Sequence, residues 1–124
     1  MVELIIVLSL IGILAAIAIG SFQYYQNRAY NITVKHDLKS FATAQMDYFV
    51  THNSYHGSSG DYIEGGNPPS GPLVSPEFSF RPSEGVTIRL TGQGAAFTAQ
   101  ASHRSATKKY KYNFATGEIT EEDA

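Results

Sequence analysis

The chain is 124 residues long, carries a formal net charge of −2 and contains no cysteine. That length allows one small head plus a membrane segment, and the weak negative balance provides no broad positive field for nucleic acid or an anionic surface, so nucleic acid is not indicated as a partner. With no thiols there is no disulfide framework, and packing together with contacts between molecules must hold the structure.

Glu3 is the only charged residue before Arg28, and it stands at the edge of the apolar run LIIVLSLIGILAAIAI over residues 4–19. As a helix this run rises about 24 Å, against about 30 Å for the hydrocarbon core of a bilayer, and Met1 and Val2 bring it close to spanning. A carboxylate at bilayer depth costs roughly 2.5–3.5 kcal/mol. The first turn of a helix returns only about 0.3–1 kcal/mol of that through its dipole, so Glu3 needs a cation, and a chain terminus is the expected source. Gly12, Ala16 and Gly20 recur every fourth residue and line one face on which another helix backbone can approach closely. A secretory signal peptide is disfavoured because no basic region precedes the run and no polar cleavage region follows it. A plain single-pass anchor explains the apolarity but neither Glu3 nor the small-residue spacing.

The stretch Val2-Glu3-Leu4-Ile5-Ile6-Val7, followed by Leu10-Ile11-Gly12-Ile13-Leu14-Ala15-Ala16-Ile17-Ala18-Ile19, resembles the N-terminal helix of the type IV pilin and pseudopilin family. The resemblance implies removal of a short leader by a prepilin peptidase, N-methylation of the new terminus, and pairing of Glu3 with the terminal amine of a neighbouring subunit during assembly. It also implies a filament whose core is made of these helices. Two departures stand out. The family usually has two more residues before this motif, so the expectation is either that the chain begins two residues inside the processed form or that Met1 is an unusual terminus. Gly20 stands where most members carry proline, and glycine weakens a helix by about 1 kcal/mol where proline breaks it. By the resemblance, the segment from Gly12 to Gly20 is the part expected to extend in a filament. The disulfide that closes the C-terminal loop in many members cannot form here.

Beyond Ser21 no proline intervenes until Pro68, which predicts one continuous helix to about His52, ended by Asn53, Ser54 and Gly57. Val34, Leu38, Phe41, Gln45 and Tyr48 form a stripe at three- and four-residue spacing, widened by Ala42, Met46 and Phe49. Arg28, Lys35, Asp37, Lys39 and Asp47 fall mostly off it, on a face expected to stay wet or to touch another subunit. Asn31-Ile32-Thr33 matches a glycosylation acceptor, but its helical position predicts that it is silent. From Gly57 to Pro76 glycines and prolines predict an irregular surface loop.

Alternation then predicts strands over residues 86–90, 96–101 and 109–114, with an edge strand at residues 78–80. Thr91-Gly92-Gln93-Gly94 and Ala115-Thr116-Gly117-Glu118 are the expected turns. A sheet of three or four antiparallel strands needs a cover, and the amphipathic half of the helix is the sizeable apolar stripe that can supply it. The stretches over residues 97–103 and 110–119 also resemble, more weakly, the C-terminal hairpin of small pilins.

The polar constellations point to no catalytic, cofactor or metal site. His36, His52, His56 and His103 lack compact ligand spacing, and Ser102, His103 and Ser105 lack the turn that a nucleophilic serine needs. Glu118, Glu121, Glu122 and Asp123 could gather calcium, but a solvated tail explains them more simply. Arg104, Lys108, Lys109 and Lys111 oppose that tail in sign, which suits either a steering contact between subunits or a lysine-protected strand edge. Phe22, Tyr24, Tyr25, Tyr30, Phe41, Tyr48, Phe49 and Tyr55 are accounted for by burial.

The expected architecture is α+β and pilin-like, with an apolar filament-core helix over 1–20, its amphipathic continuation over 21–53, a surface loop over 54–82 and a sheet over 83–124. The reading is a structural subunit that waits in a bacterial inner membrane and polymerises with copies of itself, through the pilus assembly machinery, into an extracellular type IV pilus-like filament. A pseudopilin of type II secretion, an electron-conducting pilus subunit and a monomeric membrane-anchored binding domain are the alternatives.

Overall fold

The computed structural model describes residues 1–92 and 97–123. Helix α1 runs unbroken over Val2–His52, a rod of about 75 Å. Its hydroxyls do not disturb it, because Ser9, Thr33, Thr43 and Thr51 each donate to the carbonyl four residues earlier at 2.9–3.2 Å. The rod stops at Asn53, whose left-handed backbone (φ 60°) turns its N–H onto the Phe49 carbonyl at 2.7 Å.

Among the described residues five strands follow: β1 Tyr62–Glu64, β2 Val86–Thr91, β3 Thr98–His103, β4 Lys108–Asn113 and β5 Ile119–Asp123. They form one antiparallel sheet in the order β1-β2-β3-β4-β5. Alternation sends Ile63, Val86, Ile88, Leu90, Ala99, Ala101, Tyr110 and Tyr112 to the buried face. On the helix side Val34, Leu38, Phe41, Ala42 and Gln45 are buried, and each large apolar member contributes about 1.5–3 kcal/mol. The alanines of β3 explain the close seat of the rod, which packs mainly over β3 and β4.

The sheet thus has two strands more than the three central ones, and neither edge lies where alternation placed it. Residues 78–80 form no strand. Phe78 makes only an isolated bridge to Ser75, while Phe78 and Phe80 plug the core beside Phe41 at ring distances of 5.6 and 5.3 Å. The edge is instead β1, from inside the segment expected to be irregular, paired Ile63 to Ile88. Gly65 permits this approach: a Cβ there would lie 1.9 Å from the Ser83 carbonyl oxygen. The opposite edge is β5, built from the acidic tail. The turn expected at residues 115–118 is present, with Gly117 at φ 74° and its N–H on the Asn113 carbonyl. Gln93 and Gly94 of the other expected turn, and Ala96 of the strand expected over residues 96–101, lie outside the described residues.

Three positions on the rod differ from the stripe. Asp37, expected on the wet face, is buried because Ser83 donates to its carboxylate from both the backbone N–H (2.8 Å) and the hydroxyl (3.2 Å). Met46 and Phe49, expected to widen the stripe, are 46% and 41% exposed. Phe49 meets the ring of Tyr55 at 4.9 Å.

Candidate assembly surface

The head grips the rod from Tyr30 onward, so the first half of α1 has no cover among the described residues. Its large side chains over residues 4–19 are between 50% and 67% exposed. The helix contains a stretch long and apolar enough to cross a membrane, none of it buried inside the molecule. Exposed apolar area of this extent marks a surface for lipid or for another protein.

Glu3 occupies the first turn of α1. Its Oε2 accepts from the amino group of Met1 at 2.9 Å, and both groups stand fully in the open. The carboxylate is therefore placed where the helix dipole favours it. Apart from the helix's own backbone and their chain neighbours, no atom of the described residues lies within 4 Å of where a Cβ would stand on Gly12 or Gly20, and Ala16, one turn from each, is also exposed. The small-residue stripe is an empty shelf on the free rod, continuous with the exposed apolar surface.

The polar candidates elsewhere are engaged within the head. His52 stacks on Tyr48 at 3.9 Å and faces Glu77 at 3.7 Å. His56 turns the other way, with Nε2 3.1 Å from the Leu73 carbonyl and its ring on Phe78. His103 accepts from the Ser105 N–H at 2.9 Å through Nδ1 and stacks on Tyr30 at 4.5 Å. His36 is exposed on the rod beside Lys35 and Lys39. Among the described residues no three His, Asp or Glu side chains converge.

The lysines and the acidic tail meet each other inside the chain. Register places Lys108 opposite Asp123 and Lys109 opposite Glu122; Lys108 pairs with Asp123 and, at 3.8 Å, with Glu121, and Lys109 with Glu122 at 3.9 Å. The ammonium of Lys108 holds the Asp123 carboxyl below its ordinary range, and Asp123 in turn lifts Lys108. Desolvation, with Glu121 nearby, raises the Tyr110 hydroxyl. The complementarity considered for contact between subunits thus closes β5 onto β4.

Two clasps were not legible as functional residues. Asn31 accepts from the N–H groups of Thr107 and Lys108, both at 3.2 Å, and donates to the Thr107 hydroxyl at 3.1 Å, tying the β3–β4 turn to the rod with the amide that would carry a sugar. Gln45 binds both backbone groups of His56 at 2.8 Å. A lone amide on an apolar stripe was the available signal for Gln45; nothing local marks Asn31. The rings divide into packed groups, Phe41, Tyr48 and Phe78 on one side and Tyr55, Phe97 and Phe114 on the other, while Phe22, Tyr24 and Tyr25 remain bare.

No family model and no solved structure matches the chain. It is 44% identical over 55 residues, 44% of its length, to the type IV major pilin protein PilA of Myxococcus xanthus (strain DK1622), and that match covers 25% of the PilA chain. The long apolar N-terminal helix and antiparallel sheet give the chain a pilin-like layout.

Proposed function

We propose that the chain is a structural subunit of a type IV pilus-like filament, held in a bacterial inner membrane by the first half of α1 and then polymerised into an extracellular fibre. The observation that carries this reading is the bare apolar half of the rod with a single carboxylate at its tip. In a bilayer that surface is satisfied by lipid, and in a filament by the same surface of other copies. Glu3 supplies the discrimination: at bilayer depth it favours whatever brings a cation to it, and in the polymer that cation is the processed, methylated amine of a neighbour. Gly12, Ala16 and Gly20 form the shelf that lets rods approach closely. Processing falls to a prepilin peptidase and growth to a pilus assembly machine. Similarity to a major pilin supports the pilus-subunit role; counting surface filaments and testing whether secreted enzymes accumulate inside a deletion strain separates it from a secretion pseudopilin.

Glu3→Ala tests the role of the carboxylate. The variant should accumulate in the membrane at the parental level and yield no sheared surface filaments; abundant normal filaments would overturn the assignment of Glu3.

A further inference from the structure

We infer that the outer face of the rod carries a stagger code, in which Asp47 of one copy seats in a cationic groove formed by Ile32, Lys35, His36 and Lys39 of the next. This rests on the filament reading and specifies its register. The groove is a shallow depression of about 240 Å³ on the side of α1 away from the sheet, and Lys35, His36 and Lys39 are all exposed. Among the described residues neither lysine has an ion-pair partner in the chain. The carboxylate nearest in sequence, Asp37, points into the head and is held by Ser83, so it does not neutralise the groove.

The occupant follows from what the rod itself offers. Its carboxylates are Glu3, Asp37 and Asp47; the first lies at the far tip and the second is buried, which leaves Asp47, exposed and without an ion pair among the described residues. At 100° per residue Asp47 falls about 20° from His36 around the axis, on the same outer face. It is eight to twelve residues above Lys39 and Lys35, so the cation and anion of one rod are separated by about 12–18 Å and cannot meet each other.

A second copy removes that separation. Two chains whose apolar halves share one membrane, with heads on the same side, lie parallel. Displacing one along the other by about 12–18 Å brings Asp47 into the groove. Every copy then offers one groove and one carboxylate, a head-to-tail contact that does not close on itself and generates an open polymer. Bare apolar side chains flank both halves of the contact, Tyr25 and Ile32 below and Met46 and Val50 above.

The absence of native cysteine makes the test clean. Residues 39 and 47 on one helix are about 12 Å apart, beyond the roughly 7 Å that a disulfide can bridge, so a bond between introduced cysteines joins two copies. Filaments of Lys39→Cys/Asp47→Cys, mildly oxidised and run without reductant, should give a ladder extending past the dimer, and neither single variant should. Intact filaments that give only monomer, or a ladder that stops at dimer as an antiparallel pair would, overturn the register. Charge exchange gives an independent reading. Lys39→Asp and Asp47→Lys should each lower filament yield by about threefold or more, and the two together should restore it; a swap no better than either single variant also overturns the proposal. If the parental chain itself never forms filaments, the failure belongs to the filament reading.

Discussion

Replacing Gln45 with leucine isolates the clasp that joins the top of the rod to the chain leaving it. Gln45 is fully buried, and its amide accepts from the His56 N–H and donates to the His56 carbonyl, both at 2.8 Å. Leucine has similar volume, so little cavity forms, but both hydrogen bonds vanish, at about 0.5–1.5 kcal/mol each. The two backbone groups of His56 are left without partners in a half-dry site, at about 1–3 kcal/mol for each group that water does not reach. The added apolar burial offsets part of this. A net loss of about 2 kcal/mol is expected, equivalent to roughly 8–16 °C for a head of this size. The full chain in detergent micelles should show it as an earlier loss of near-ultraviolet tyrosine dichroism, with far-ultraviolet helicity of the apolar half retained. An unchanged or raised melting point would show that the amide adds nothing to the joint.

Gly12→Leu and Ala16→Leu should leave the melting point of the head and membrane insertion as they are, because the shelf touches nothing in the free chain, yet abolish filaments, as read by shearing and electron microscopy. Asn31→Ala removes three hydrogen bonds from the β3–β4 turn and should cost about 1–2 kcal/mol; mass spectrometry of the parental chain should find no sugar at Asn31. Docking of β5 should depend on pH in a defined sense. Asp123 is lowered by its partner, so its contribution is complete above the ordinary aspartate range and is lost as pH falls through the lowered value. Lys108 is raised, so its contribution is complete below the ordinary lysine range and is lost as pH rises through the raised value. Exchange protection of the Thr120 and Glu122 amides should fall at both extremes and in high salt, and a flat profile would show that the pairs are idle.

The rod and the middle of the sheet were legible because periodicity writes them locally. Val34, Leu38, Phe41 and Gln45 repeat with the helix, and β2 to β4 alternate. The two edges were not legible, since each is a strand only through its partner. Tyr62-Ile63-Glu64 is three residues set among glycines, and its strand character comes from the exposed edge of β2. Residues 119–123 contain one apolar side chain, and lysines in register hold them. The burial of Asp37 depends on Ser83, 46 positions away, a distance at which no spacing rule operates. Of the candidate surface, Glu3 and the Gly12, Ala16 and Gly20 stripe are legible from local sequence alone, as a lone charge beside an apolar run and a four-residue repeat of small side chains; the role proposed for them lies between copies.

The clasps at Asn31 and Gln45 sit at opposite ends of the head's footprint, about 21 Å apart along the axis. In the proposed fibre, a pull along the axis would tend to slide the head past the rod, and both ties, with the greasy contact between them, would have to slip together. A sideways tug on the head would meet only one tie at a time. A thread built from such units would be stubborn under stretching and comparatively easy to fray by scraping.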